Sequence, residues 1–273
     1  MTDRILLAYS GSLAASAAIA WLAERHGAEV ATLTLDVGQT DDLDELRARA
    51  LTCGAARAHV VDVRDAFARD YVIPAARAAA HLGSIPGLDS IAYPLIARTL
   101  IDVCAMEGAD AVAHASHRTA LDEEIVAVDP AIRIVAPARE WRMNDAALRE
   151  YARARHLPAG ATREPHLLIR RSAEPARASD PEAVLAIAFD GGVPISLNGV
   201  AMPLSDLIES LSLIGGQHGL GYADQTPSPA AAILRAAYAA GHAGTRTVRM
   251  KLGAGTYTIL SSHEPTGELV NHP

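Results

Sequence analysis

Short apolar runs alternate with helix-patterned stretches through the first half of the chain, and that alternation narrows the folds open to it. The runs at 5–8, 30–35, 58–63, 111–113 and 132–135 are almost continuously apolar, and 14–25, 43–51, 66–80 and 94–107 carry helical spacing. A hairpin leaves no room for a helix between successive strands, whereas a βαβ crossover requires one. Strands apolar on both faces belong to a sheet covered on both sides. The expected fold class is therefore α/β, with a doubly wound parallel sheet. Ligands of such sheets bind beyond the carboxyl ends of the strands, at a topological switch point.

The pattern changes after a polar helix at 144–155 and a Pro/Arg-rich connector at 158–180. Runs at 184–189 and 193–197 flank Gly191-Gly192, a hairpin signal, and runs at 248–252 and 256–260 flank Gly253-Ala254-Gly255. Helical spacing returns at 204–214 and 229–240. These features predict two domains, an α/β domain over 1–155 and an α+β domain over 156–273.

Composition excludes several functions. The formal net charge of −8 argues against a nucleic-acid partner, which needs a basic surface. Cys53 and Cys104 are the only cysteines; they form neither a disulfide framework nor a metal-ligand spacing, and they read as reduced, buried thiols of a cytoplasmic protein. No apolar run approaches the ~20 residues of a membrane span, and no signal peptide is expected. Half of the residues are hydrophobic, with only two Phe and two Trp, so aliphatic packing carries the core.

The first apolar run ends in Ala8-Tyr9-Ser10-Gly11-Ser12, and a helix-forming run containing Ser16 follows at once. Backbone N–H groups at such a turn point outward and hold anions. A strand-to-helix turn without a ligand has the same pattern, and both readings stay open. Gly38-Gln39 is likewise either a turn or a nucleotide contact. Asp41, Asp42, Asp44 and Glu45 read as solvated residues opening a helix. His114 and His117 have no metal spacing, so no metal site is expected among them.

Several segments, in order, resemble the argininosuccinate synthase family of the N-type ATP pyrophosphatases. They are Ala8-Tyr9-Ser10-Gly11, Leu35-Asp36-Val37-Gly38-Gln39, Pro94-Leu95-Ile96-Ala97-Arg98, Val135-Ala136-Pro137, Glu150-Tyr151-Ala152, Gly192-Val193-Pro194 with Leu197-Asn198-Gly199, and Gly216-Gln217-His218-Gly219-Leu220-Gly221. The resemblance implies a nucleotide-binding-like domain followed by a shortened synthetase-like one. It also implies ATP and Mg2+ as cofactors and a reaction of arginine biosynthesis, in which ATP adenylates citrulline and the aspartate amine displaces AMP. Nucleotide contacts carried over are Ala8, Tyr9, Ser10, Gly11, Ser12, Ser16, Asp36, Gly38 and Gln39. Substrate contacts carried over are Ser90, Tyr93, His114, Arg118 and Asp122.

The chain departs from the family at each recognition loop. The pyrophosphate loop Ser-Gly-Gly-x-Asp-(Ser/Thr)-Ser has Ser12 for the second Gly and Ala14 for Asp. In the citrulline loop Ile85, Asp89 and Tyr93 replace Tyr, Thr and Arg, and Ser90 remains. In the aspartate loop His114 and Asp122 survive, but its glycines and downstream Arg do not. After Asp224 the family's Lys-Ser-Arg-Gly-x-Tyr-Glu loop is absent, as is the C-terminal helical tail through which family members assemble, so a homodimer is expected in place of the family tetramer. The departures predict weakened or lost ATP and Mg2+ binding and a protein without the parent activity, a pseudoenzyme binding a small nucleotide or amino acid. The alternatives are an AMP- and pyrophosphate-forming C–N ligase rebuilt around Asp89, Tyr93 and Arg118, and a non-catalytic regulatory or scaffolding partner.

Overall fold

The computed structural model describes residues 3–38, 42–82, 88–158, 182–220, 229–241 and 244–263, with the side chains of 81–82 and 88–90 outside that description. The chain divides into two compact units: residues 1–63 with 92–167, and residues 64–91 with 168–273. The stretch 64–91, which a single cut at 155 places in the first domain, thus packs with the second unit.

The first unit is built on five parallel strands: β1 (Arg4–Ala8), β2 (Glu29–Asp36), β3 (Arg57–Asp62), β4 (Ala111–His114) and β5 (Arg133–Val135), in the order β3-β2-β1-β4-β5. The crossovers are helical: α1 (Leu13–His26) leads from β1 to β2, and α2 (Leu43–Thr52) from β2 to β3. The chain order reverses between β1 and β4, which creates the switch point at their carboxyl ends. Strand alternation distributes the core between two faces. Ile5, Leu7, Val30, Ala111 and Ala113 pack with α1 and Trp141, whereas Leu6, Ala31, Leu33 and Val112 pack with Ala97, Leu100 and Cys104. The expected doubly wound sheet is therefore present.

Three helical segments differ from the sequence reading. The helix expected at 66–80 consists of α3 (Arg64–Phe67), a π-helical turn (Ala68–Val72) and α4 (Ile73–Leu82). Pro74 has no N–H and its ring crowds the carbonyl four residues earlier; the widened turn before it relieves that conflict. The helix expected to start at Pro94 starts earlier, as α5 (Leu88–Glu107), with Pro94 inside it. Ala92 and Leu95 are buried there, and this packing outweighs the local preference for Pro at a helix start. The run 114–123, read as a loop, contains the start of α6 (Ala120–Val128), whose Leu121 and Ile125 lie one turn apart and are both buried. After β5 come α7 (Pro137–Glu140) and α8 (Asp145–Ala154).

The second unit carries an antiparallel sheet of β6 (Ala183–Asp190), β7 (Val193–Leu197), β8 (Val200–Ala201), β9 (Arg246–Gly253) and β10 (Thr256–His263), in the order β10-β9-β6-β7-β8. Gly191 and Gly192 join β6 to β7 with φ of 54° and 75°, the doubly left-handed turn that suits strand twist. The inward positions of β6 are Leu185, Ile187 and Phe189, and those of β9 are Arg246, Val248, Met250 and Leu252. Helix α9 (Leu204–Gln217) and the buried, Ala-rich helix α10 (Pro229–Ala239) complete the unit, α10 packing against α4 and α9. The connector at 158–180 lies almost wholly outside the described residues, as does the segment after Asp224.

Candidate functional site at the switch point

Two loops of the first unit leave neighbouring strands at the switch point, because Ala8 and His114 are register partners across β1 and β4. The first loop joins β1 to α1. Gly11 adopts φ of 73°, and a Cβ there would meet Leu46 Cδ2 at 2.2 Å. Glycine is therefore needed twice, for backbone conformation and for the close approach of α2. Arg49 of α2 donates to the Gly11 carbonyl at 3.2 Å and pairs with Glu45 at 2.5 Å, which ties the loop to its neighbour.

Ser12 is the N-cap of α1: its Oγ accepts from the Ala15 N–H at 3.1 Å and from the Ser10 hydroxyl at 3.2 Å. Leu13 and Ala14 then present N–H groups with no intrahelical acceptor, at the positive end of the helix dipole. Ser16 turns the other way. It is fully buried, its Oγ lies 3.0 Å from the Tyr9 hydroxyl, and burial raises the Tyr9 pKa. Tyr9 and Ser16, expected as nucleotide contacts, thus hold each other inside the core, while Ala8 ends β1 in the sheet. Burial likewise raises the pKa of nearby Cys53.

The end of β2 contributes Asp36, whose Oδ1 accepts from the Gly38 N–H at 2.9 Å in a turn with Gly38 at φ of 91°. Gln39 lies outside the described residues, as does the Ser90 side chain. Tyr93 lies on α5, partly buried against Leu6 and its neighbours.

The second loop, between β4 and α6, brings three charged or titratable side chains together. His114 is 2% exposed; its Nδ1 accepts from the Ser116 N–H at 3.2 Å, which leaves Nε2 to carry the proton toward Asp122 Oδ1 at 3.3 Å. Burial lowers the His114 pKa, and the opposing Asp122 carboxylate offsets only part of this, so the ring is neutral near pH 7. Arg139 grips Asp122 with both Nη atoms, each at 2.7 Å. Burial pushes the Asp122 pKa up, but the hydrogen bonds from Arg139 and His114 outweigh it and the net shift is downward. Arg118 takes part only through its backbone: its carbonyl accepts from Arg139 at 3.2 Å, and its side chain is exposed.

The structure therefore joins His114 with Asp122, both carried over only as substrate contacts, and adds Arg139, which the sequence reading missed. Its signal was the Pro137 start of a short helix beside β5, where Glu140 accepts from the Ala136 N–H at 3.3 Å. No group of three or more His, Cys, Asp or Glu side chains among the described residues is placed to hold a metal ion, and none of the described helices is long and apolar enough to cross a membrane.

Comparison with known proteins places these loops in a family context. Residues 4–158 match the family described as Arginosuccinate synthase N-terminal HUP domain, and residues 159–228 match the Arginosuccinate synthase C-terminal domain. The chain is 34% identical over 254 residues to the argininosuccinate synthase of Oceanobacillus iheyensis, covering 81% of this chain and 61% of that protein. It is 35% identical over 258 residues to that of Syntrophobacter fumaroxidans, covering 82% and 64%. Against that of Pelotomaculum thermopropionicum it is 36% identical over 255 residues, covering 81% and 63%. The chain thus spans less than two thirds of the length of these relatives.

Proposed function

The chain belongs to the argininosuccinate synthase family, and on that premise we propose that it is a nucleotide-binding relative of the ligase that no longer joins citrulline to aspartate. The observation that carries this reading is the fate of the polar residues that survive in the family's loops. Asp122 is gripped by Arg139 and His114, and Ser16 is buried on Tyr9. Groups that could face a ligand serve as internal framework.

Residues that fit a phosphate group remain in the β1–α1 loop. The Leu13 and Ala14 N–H groups would hold it, with the Ser10 and Ser12 hydroxyls beside them, since helix-end donors do not depend on side-chain identity. ATP bound there would supply an adenylyl group, with pyrophosphate as the leaving group. The carboxylate that would help organise magnesium is replaced by Ala14. Removing one well-placed electrostatic group typically lowers a rate by ~10²–10³, and this chain departs from the family at several loops.

The test combines turnover with binding. Purified protein, supplied with citrulline, aspartate, ATP and Mg2+, should form no argininosuccinate at rates typical of enzymes, ~1–10³ per second. ATP, AMP or pyrophosphate should raise the melting temperature of the wild type, and Ser10→Glu, which adds an exposed negative charge at the loop, should abolish the rise. Gly11→Val is a poor probe, because the contact with Leu46 would unsettle folding. Robust argininosuccinate formation would overturn the proposal. Pyrophosphate release with another amine or acid would support the rebuilt ligase, and absence of any nucleotide effect would support a scaffolding partner.

A further inference from the structure

The second unit buries an arginine that has no counter-ion among the described residues. Arg246 opens β9 on the inward stripe it shares with Val248, Met250 and Leu252, and it is 6% exposed. Its Nε and Nη2 have no hydrogen-bond partner among the described residues. These atoms form one edge of the guanidinium, the edge that meets the two oxygens of an oxyanion in a fork. Desolvation lowers the Arg246 pKa, and among the described residues the Tyr238 phenol is the only titratable group acting on it.

A second guanidinium converges on the same phenol. Arg77 of α4 lies with Cζ 5.6 Å from the Tyr238 ring centroid and donates to the Gly191 carbonyl at 3.3 Å, while its Nε is buried without a partner among the described residues. Both guanidinium groups rest against bare glycine backbone. A Cβ on Gly241 would come within 2.3 Å of Arg246 Nη1, and one on Gly192 within 2.7 Å of Arg77 Nη2. The Tyr238 hydroxyl donates to the Gly192 carbonyl at 2.9 Å, and the Phe189 ring flanks Arg246 at 5.7 Å. Buried polar atoms are normally partnered, and two like charges around one phenol repel unless an anion joins them.

We propose that Arg246, with Arg77 beside Tyr238, forms a binding site in the second unit for a small oxyanion of the carboxylate or phosphate class. The Nε–Nη2 edge of Arg246 takes two oxygens of the ligand, and Arg77 Nε supplies a further donor. This site shares no residue with the β1–α1 loop and does not depend on the function proposed for that loop.

The experiment is a titration with sodium phosphate and with sodium acetate at ionic strength matched by sodium chloride. It is read by melting temperature and by the ¹⁵Nε–H resonance of Arg246, assigned by its loss in Arg246→Met. At least one anion should raise the wild-type melting temperature along a saturating curve, by about 5 °C at a hundredfold excess over its Kd. The Arg246 resonance should move on the same curve. Response to acetate alone identifies a carboxylate ligand, and response to phosphate alone a phosphoryl one. Arg246→Met should be insensitive, and Arg246→Lys should bind at least tenfold more weakly, since an ammonium lacks the fork. Ser10→Glu should leave the response intact, which separates this site from the loop. A resonance that does not move at decimolar anion, or an equal rise in Arg246→Met, overturns the proposal. If Arg246→Met does not fold, Arg246→Lys assigns the resonance and the wild-type titration decides.

Discussion

The two units treat charge in opposite ways, with a half-buried pair in the first and a buried lone arginine in the second. In the first, Asp122 has Arg139 on both oxygens and His114 behind it, so the cluster is closed. In the second, Arg246 sits on a sheet face among aliphatic side chains with two donors unmet. A closed cluster is framework, and removing one member leaves an uncompensated charge. An open one is unspent binding capacity, and removing it relieves a cost. The same type of substitution, arginine to an apolar residue, should therefore change stability with opposite sign in the two places.

The largest effect is expected at the closed cluster. Arg139→Leu should destabilise the protein by about 2 kcal/mol in urea unfolding, because the half-buried Asp122 loses its bidentate partner and is left with only a neutral imidazole. Arg139→Leu combined with Asp122→Leu should recover much of the loss. Additive losses in the double variant would break the comparison, since they would mean that the pair does not act as a unit.

A smaller loss is expected where the first unit has enclosed hydroxyls. Ser16→Ala should cost about 1–2 kcal/mol by leaving the buried Tyr9 hydroxyl without its partner. Tyr9→Phe with Ser16→Ala should cost less than the two single changes together. A neutral Ser16→Ala would indicate that the hydroxyl faces solvent, where a ligand could reach it.

Next comes the change of sign. Arg246→Met in chloride buffer should stabilise the protein by about 1 kcal/mol, since an apolar chain of similar length replaces a desolvated charge. A loss similar to that of Arg139→Leu would show that Arg246 has a partner in solution and would erase the contrast between the units.

The smallest effect at any one pH is the acid limb. The folded pKa of Asp122 lies below its unfolded value near 3.9, so its contribution is complete above about pH 5 and is lost as pH falls through the folded pKa. The folded pKa of His114 is also lowered, so the unfolded chain binds its proton first and stability declines as pH falls below about 6.5. Glu107, hydrogen-bonded by Arg57 and by His59, the latter at 2.7 Å, is lowered too and steepens the same limb. Urea midpoints measured between neutral pH and pH 3 should fall steadily, and Asp122→Asn should flatten the most acid part.

The fold was legible because it rests on local periodicity. Continuous apolar runs separated by helix-length stretches admit a parallel sheet and little else, and Gly191-Gly192 marks its hairpin without knowledge of what surrounds it. Helix 64–82 was misjudged because Pro74 acts through a π-helical turn, and α6 because its two buried residues are too few to stand out. Arg246 was missed because β9 was read from Val248; extending the alternation back by one period would have placed an arginine on the inward face.

The sequence by itself determined the class of sheet, the strand–turn–helix at Ser10–Ser12 and the changed family loops, since each depends on residues adjacent in the chain. Tertiary structure alone decided which polar groups became framework. Asp122 and Arg139 meet because α6 and α7 follow adjacent strands. Tyr9 and Ser16 meet because the turn at Gly11 folds α1 back over β1, and Arg77 reaches Tyr238 because α4 packs with α10. Pairing energy depends on separation and burial in space, and neither is written in the spacing of residues along the chain.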